Sequence, residues 1–413
     1  MHTGLLLALV IAGLMPLAYL GYASGRRKAN RVAAQGARLH SRPQQYGWFV
    51  VTSMALPGFG IAIAGSLASL LGWFDTPWPI LLTACLLVGA GGLLTAISLI
   101  SPELRARNFL EATVRRILLL ASLVSIVTTV AIVLSLIFEA LRFFNMIGFW
   151  GFVTGTQWSP DQAFLEGAGR AGESASFAFG SVPLFAGTFM VTLIAISVAL
   201  PVGLFAAIYM SEYASWRIRG FAKPMLEVLA GIPTVVYGFF AAITFNPFIV
   251  DVANFFGVEA SYENMLGPGI VMGVMIVPFI SSLSDDVLSS IPSNLREGAF
   301  ALGTTRSECI KQILLPAAMP GIISATLLGI SRALGETMIV VMAAGLLPNL
   351  TANPLETMTA VTVHIVANLT GDQAFDSPLT LSAFGLGLVL FVITLALNIV
   401  STIMVRRFKQ AYD

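Results

Sequence analysis

A chain of 413 residues that is 57% hydrophobic and 10% charged, with a mean hydropathy of +0.87, cannot be a water-soluble globule, whose surface calls for about a quarter of its residues charged. It reads as an all-α polytopic membrane protein. The net charge of +1 says little by itself, because in such a chain the position of each charge carries the information. Cys85 and Cys309 form no disulfide framework and no metal-ligand spacing, so both are expected to be small inert thiols.

Nine runs are long and apolar enough to cross about 30 Å of hydrocarbon. They are 4–22, 47–73, 78–101, 117–141, 183–210, 225–248, 268–290, 320–347 and 380–405. The opening "MHTG" lacks the basic stretch of a secretory signal, and Arg26, Arg27, Lys28 and Arg31 follow the first run instead. This order predicts an outside N-terminus. Alternation then places Arg38, Arg42, Arg105, Arg107, Arg115, Arg116, Arg217, Arg219, Lys223, Arg296, Arg306, Lys311, Arg406, Arg407 and Lys409 inside. Only Arg142 and Arg170 fall outside, among acids such as Asp75, Glu166, Asp251, Glu263 and Asp376. Nine spans, N-terminus outside and C-terminus inside, satisfy the positive-inside rule at every loop.

The polar segment "SPELRARNFLEATVRR" marks a boundary near residue 116. Before it lies a three-span extension, 1–116, with no functional signal; after it lies a six-span core, 117–413. The longest extramembrane segment, about forty residues near 142–182, is too short for a catalytic domain.

The loop between spans seven and eight, "EGAFALGTTRSECIKQILLP", is punctuated as two short helices. Asn294 and Thr305 each precede an acid, Glu297 and Glu308, by three residues, the capping-box spacing. Gly303 is suited to the left-handed turn that ends the first helix, and Pro316 is expected to end the second. Leu295, Ala299 and Leu302 share one apolar face; Cys309, Ile310, Ile313 and Leu314 share another. On pattern alone this is an amphipathic hairpin that rests on headgroups or on the bundle base.

The spacing of Glu297, Gly298, Ala299, Gly303, Ile313, Leu315 and Pro316 resembles the EAA loop of type I ABC importer permeases, with Gly298 in place of the usual first alanine. The resemblance implies coupling helices, 294–316, that dock on an ATP-binding subunit. "GTQWSP" (155–160), "EVLAGIPTVVYGFF" (227–240) and "RALGETM" (332–338) narrow it to the permeases of phosphate ABC transporters, of the PstC type. The similarity covers about 117–410, with the ABC transmembrane type-1 domain at about 183–405. It implies a PstA-like second permease, a PstB-like ATPase dimer carrying ATP and Mg²⁺, and a PstS-like extracytoplasmic binding protein. The complex would import inorganic phosphate across the bacterial inner membrane by alternating access.

Arg332 is the one basic residue well inside a predicted span, and Glu336 follows one helical turn later. Either the two lock the bundle as an ion pair, or Arg332 meets the transported anion while Glu336 keeps it from becoming a trap. Pro233, Thr234 and Tyr237 fall in an interrupted helix that either packs or lines the path. Asp285 and Asp286 are interfacial acids or part of an inner gate with a cation of a neighbouring chain. Trp158 is an interfacial anchor or a contact for the binding protein. No G-x-x-x-x-G-K-[ST], H-E-x-x-H or convincing Ser/His arrangement occurs, so the chain is expected to be no enzyme and to draw on a separate ATPase. A permease for sulfate or molybdate keeps this mechanism. An ion-driven secondary transporter does not, and it would carry inverted repeats that are not seen.

Overall fold

The structure is a computed structural model and describes residues 3–36, 38–70, 72, 77–160, 179–370 and 376–409. Among these residues nine helices are long and apolar enough to span a membrane, and the only β-pairing is two isolated bridges, Trp158 with Phe179 and Asn264 with Thr357. The chain divides into two compact units, 1–131 and 132–413.

The first unit holds α1 (Thr3–Ala34), α2 (Pro43–Leu70), α3 (Trp78–Ser98) and the start of α4 (Ala106–Ile147). Its core has a cluster around Tyr46, Phe49, Val50 and Ala96 and another around Leu14, Met54 and Cys85. Lys28 reaches from α1 to the last carbonyls of α3, at 2.6 Å from Ile97 O and 3.2 Å from Ser98 O. A cation there meets the negative end of the helix dipole. The polar segment after Ser101 is helical from Ala106 onward and runs without a break into the apolar part of α4.

The second unit continues with α5 (Phe149–Thr154), then α6 (Val182–Ile208), which closes in a π-helical turn at Tyr209–Tyr213, and α7 (Trp216–Gly231). Next come α8 (Thr234–Phe240), a second π turn at Ala241–Phe245, α9 (Asn246–Phe255) and α10 (Leu266–Ser290). The chain ends through α11 (Ser293–Ala301), α12 (Arg306–Cys309), a third π turn at Ile310–Leu314, α13 (Leu315–Leu334), α14 (Met338–Ala343), α15 (Val361–Thr370) and α16 (Pro378–Lys409).

The centre of this unit is α10 packed on α6. Met272, Ile276 and Ile280 of α10 are fully buried. The two backbones approach closely because Gly269 and Gly273, four residues apart, turn a bare stripe toward α6. A Cβ on Gly273 would lie 2.8 Å from the carbonyl oxygen of Ala195, and one on Gly269 would lie 2.7 Å from Ile194. This is the small-xxx-small arrangement by which membrane helices gain packing contacts where no hydrophobic effect drives them together.

The first and fourth predicted spans run longer than expected, over Ala8–Ala34 and Ala106–Ile147, and the sixth and eighth are displaced. The sixth is not 225–248 but Thr234–Phe255, because Ile232 and Pro233 are extended and separate α7 from α8. The eighth is not 320–347 but Arg306–Leu334. Pro316 does not end a helix there. The π turn before it widens the helix at the place where the proline ring would otherwise clash with a carbonyl one turn back, and Leu315 N–H reaches Ile310 O instead.

Candidate functional site

The hairpin at Glu297–Pro316 is built largely as its punctuation indicates. Gly303 has φ +82°, and Thr304 N–H donates to Ala299 O at 3.3 Å while Gly303 N–H donates to Phe300 O at 3.0 Å. Those two bonds close a Schellman turn on α11. Thr305 and Glu308 form a reciprocal capping box at the start of α12. Asn294 does not cap α11, which begins one residue earlier with Pro292 in the cap position and no side-chain cap.

Cys309, Ile310 and Leu314 are buried, with Ile313 packed beside them, against Ala207, Leu288 and Ile291. On α11 only Ala299 of the predicted face is buried. Leu302 is 87% exposed, and Phe300 and Leu295 also stand out. Glu297, Gly298, Gly303 and Pro316 are exposed, and Leu315 is half-buried. The hairpin therefore buries its second helix and presents apolar side chains from its first.

A cavity of about 230 Å³ opens between α7, α10 and the end of α13, lined among others by Lys223, Glu227, Phe279, Ser282, Asp285 and Arg332. Arg332 stands with its guanidinium 5.6 Å over the Phe279 ring and, among the described residues, has no carboxylate partner. Glu336 is not on its helical face, because α13 stops at Leu334. The Glu336 carboxylate instead accepts from the N–H groups of Thr337 and Met338, both at 3.2 Å, at the start of α14. A mutual Arg332–Glu336 ion pair is thus excluded in this conformation.

Asp285 is fully buried and is held by its own chain. Arg219 Nη2 donates to both of its oxygens, at 3.0 and 2.9 Å, and Lys223 Nζ donates at 3.2 Å. Asp286 is exposed and lies 3.5 Å from Lys223. The reading of these acids as interfacial, or as paired with a neighbouring chain, gives way for Asp285 to an internal clamp that binds α7 to α10. The hydrogen bond that Lys223 donates to Asp285 also holds its ammonium above the ordinary lysine range.

Pro233, Thr234 and Tyr237 do not line this cavity. Pro233 makes the break before α8, Thr234 starts that helix, and the buried Tyr237 sends its hydroxyl back to Leu229 O at 2.8 Å, across the break. Trp158 is only 4% exposed, between the edges of Phe179 and His364, so its indole is neither a headgroup anchor nor open to a partner. Residues 161–178, Arg170 among them, lie outside the described residues.

Sequence reading missed the cavity wall supplied by α7. Arg219, Lys223 and Glu227 recur every four residues, which places them on one face of a helix. That signal was legible, but starting a span at 225 divided the helix that carries it.

A bundle of apolar helices that encloses a charged cavity and carries an exposed, capped hairpin fits a membrane permease. A profile described as binding-protein-dependent transport system inner membrane component matches residues 199–413, and the chain belongs to that family. A second profile, described as phosphate ATP-binding cassette transporter, matches residues 11–70, in the extension for which the sequence offered no role. The chain is 36% identical over 278 residues to the phosphate transport system permease protein PstC 1 of Mycobacterium tuberculosis, covering 63% of this chain and 82% of the relative. It is 33% identical over 290 residues to the probable ABC transporter permease protein YqgH of Bacillus subtilis, covering 70% and 88%. A bacterial ABC transporter involved in import of the acidic polysaccharide alginate superposes with a TM-score of 0.48 at 18% identity, over 72% of this chain and 98% of that one. The protein is a multi-pass component of the bacterial inner membrane.

Proposed function

We propose that this chain is the permease subunit of an ATP-driven importer that carries inorganic phosphate into the cell. The observation that carries the reading is the hairpin: a left-handed glycine between two helices, one buried in the bundle and the other offering Leu302 and Phe300 to a partner. An exposed apolar tip on a rigid turn suits a groove on a second protein. Phosphate is supported by the named relatives and by Arg332, an unpaired cation facing a cavity large enough for an oxyanion.

In this reading Glu297, Gly298, Ala299, Gly303, Ile313, Leu315 and Pro316 form or support the ATPase dock on the cytoplasmic side. Arg332 lies on the translocation path, and Asp285 with Lys223 closes its inner end. The core, 117–413, pairs with a PstA-like permease. A PstB-like ATPase dimer supplies ATP and Mg²⁺ chemistry, and a PstS-like protein delivers phosphate outside. ATP binding would press the hairpin and open the core outward; hydrolysis would return it.

The test is radiolabelled phosphate uptake at low phosphate in cells carrying Gly303→Asp, with ATPase co-purification from the same membranes. A side chain at φ +82° strains the turn, so both uptake and ATPase recovery should be lost at normal permease levels. Lost recovery with wild-type phosphate uptake would redirect the substrate to another oxyanion. No change in either would overturn the docking role.

A further inference from the structure

Glu212 sits in the π turn that closes α6, and its side chain is only 10% exposed. One of its oxygens accepts from two nitrogens of Arg296, Nε at 3.2 Å and Nη2 at 3.0 Å. The same guanidinium donates to Leu288 O at 2.7 Å and Ile291 O at 3.0 Å, where α10 ends. From the other arm of the hairpin, Arg306 donates to the backbone oxygen of Glu212 at 3.1 Å and lies 5.6 Å over the Tyr213 ring. Each arm therefore places one arginine on the same residue.

A pair that merely stabilised a loop would join two elements, whereas this one joins the hairpin, the end of α6 and the end of α10. Met210, two residues before Glu212, lines the cavity together with Arg332 and Asp285. Charge-assisted bonds converging on a largely buried carboxylate resist sliding, so the end of α6 is drawn along with the hairpin. π turns inside helices recur at functional positions, and here the turn carries the contact.

We infer that Glu212 is the positioning residue through which movement of the hairpin reaches α6 and the cavity wall. The inference rests on the hairpin being the ATPase dock. Substrate passes elsewhere; Glu212 acts through Arg296 and Arg306.

The test is phosphate taken up per ATP hydrolysed by the intact transporter in liposomes, for wild type, Glu212→Gln, Arg296→Gln and the double variant. Glu212→Gln should keep the ATPase bound and hydrolysing while uptake per ATP falls about tenfold, the order expected on losing one charge-assisted contact. The double variant should be no worse than Arg296→Gln alone, which already removes the pair together with the bonds to Leu288 and Ile291. A wild-type ratio in Glu212→Gln, or additive losses in the double variant, overturns the assignment. If Glu212→Gln fails to accumulate, Tyr213→Leu, which removes only the ring under Arg306, is read the same way: a lowered ratio supports the assignment and a wild-type ratio overturns it. Failure of the wild-type permease to retain an ATPase at all would instead remove the docking reading, and the inference with it.

Discussion

The buried carboxylate of Asp285 is clamped by Arg219, whose Nη2 lies 3.0 and 2.9 Å from its two oxygens, so α7 is tied to α10 by a charge that has left water. Asp285→Asn leaves Arg219 without its counter-charge and Lys223 with only the exposed Asp286. Breaking a fully buried pair costs several kcal/mol, but the Arg219 side chain is 38% exposed, so the expected loss is about 2 kcal/mol. Asp286→Asn, whose partner contact is 3.5 Å and exposed, should change stability by less than about 0.5 kcal/mol. Thermal unfolding of the two purified variants checks the contrast.

Arg332 and Glu336 are close in sequence but are parted by the end of α13. Arg332→Ala removes the cavity's unpaired cation and should abolish uptake while the complex still assembles. Glu336 accepts from two backbone N–H groups at the start of α14, so Glu336→Ala should also destabilise the fold by about 1 kcal/mol, read as a lower unfolding temperature. Equal unfolding temperatures with equal uptake loss would place the two residues on one pathway after all.

Gly273→Ala places a methyl 2.8 Å from Ala195 O, where backbone must yield. The α6–α10 contact should open, with reduced folded permease in membranes. Gly298→Ala, which meets nothing within 4 Å and restores the usual residue of the EAA pattern, should leave the yield unchanged. Detergent-resistant yield compared by immunoblot distinguishes the two.

His364, packed against Trp158, has its imidazole pKa pushed down to about 4 by burial, against the pull of the Leu346 backbone. The unfolded chain binds a proton at about 6.5, so between these values it holds more protons than the folded one. The contribution of His364 is therefore whole above about pH 6.5 and is lost as pH falls toward about 4, by up to about 3 kcal/mol. Unfolding temperatures measured from pH 8 to 4 should fall through that window, and His364→Gln should flatten the profile.

Much of this was legible in the residues. Apolar length and loop charge give nine spans because lipid leaves few other solutions for a backbone that must satisfy its own hydrogen bonds. Gly303 and the Thr305–Glu308 box were legible because turn and cap chemistry is local. Pro316 misled because its local veto on helix continuation is cancelled by a π turn, which has no simple sequence signature. Trp158 misled because its burial depends on His364, some two hundred residues away. The clamp on Asp285 was hidden for the same reason: its partners lie more than sixty positions earlier.

Because Pro316 does not interrupt it, the second arm of the hairpin and the eighth span form one rod of 29 residues from Arg306 to Leu334. At 1.5 Å per residue that is about 44 Å, with the exposed hairpin near one end and Arg332 near the other. A tilt of about five degrees at the base would sweep the far end by about 4 Å, more than the width of a hydrogen bond. On the proposed docking role the rod acts as a lever arm, and a small stroke by a partner would be geometrically enough to carry the arginine out of reach of a bound anion.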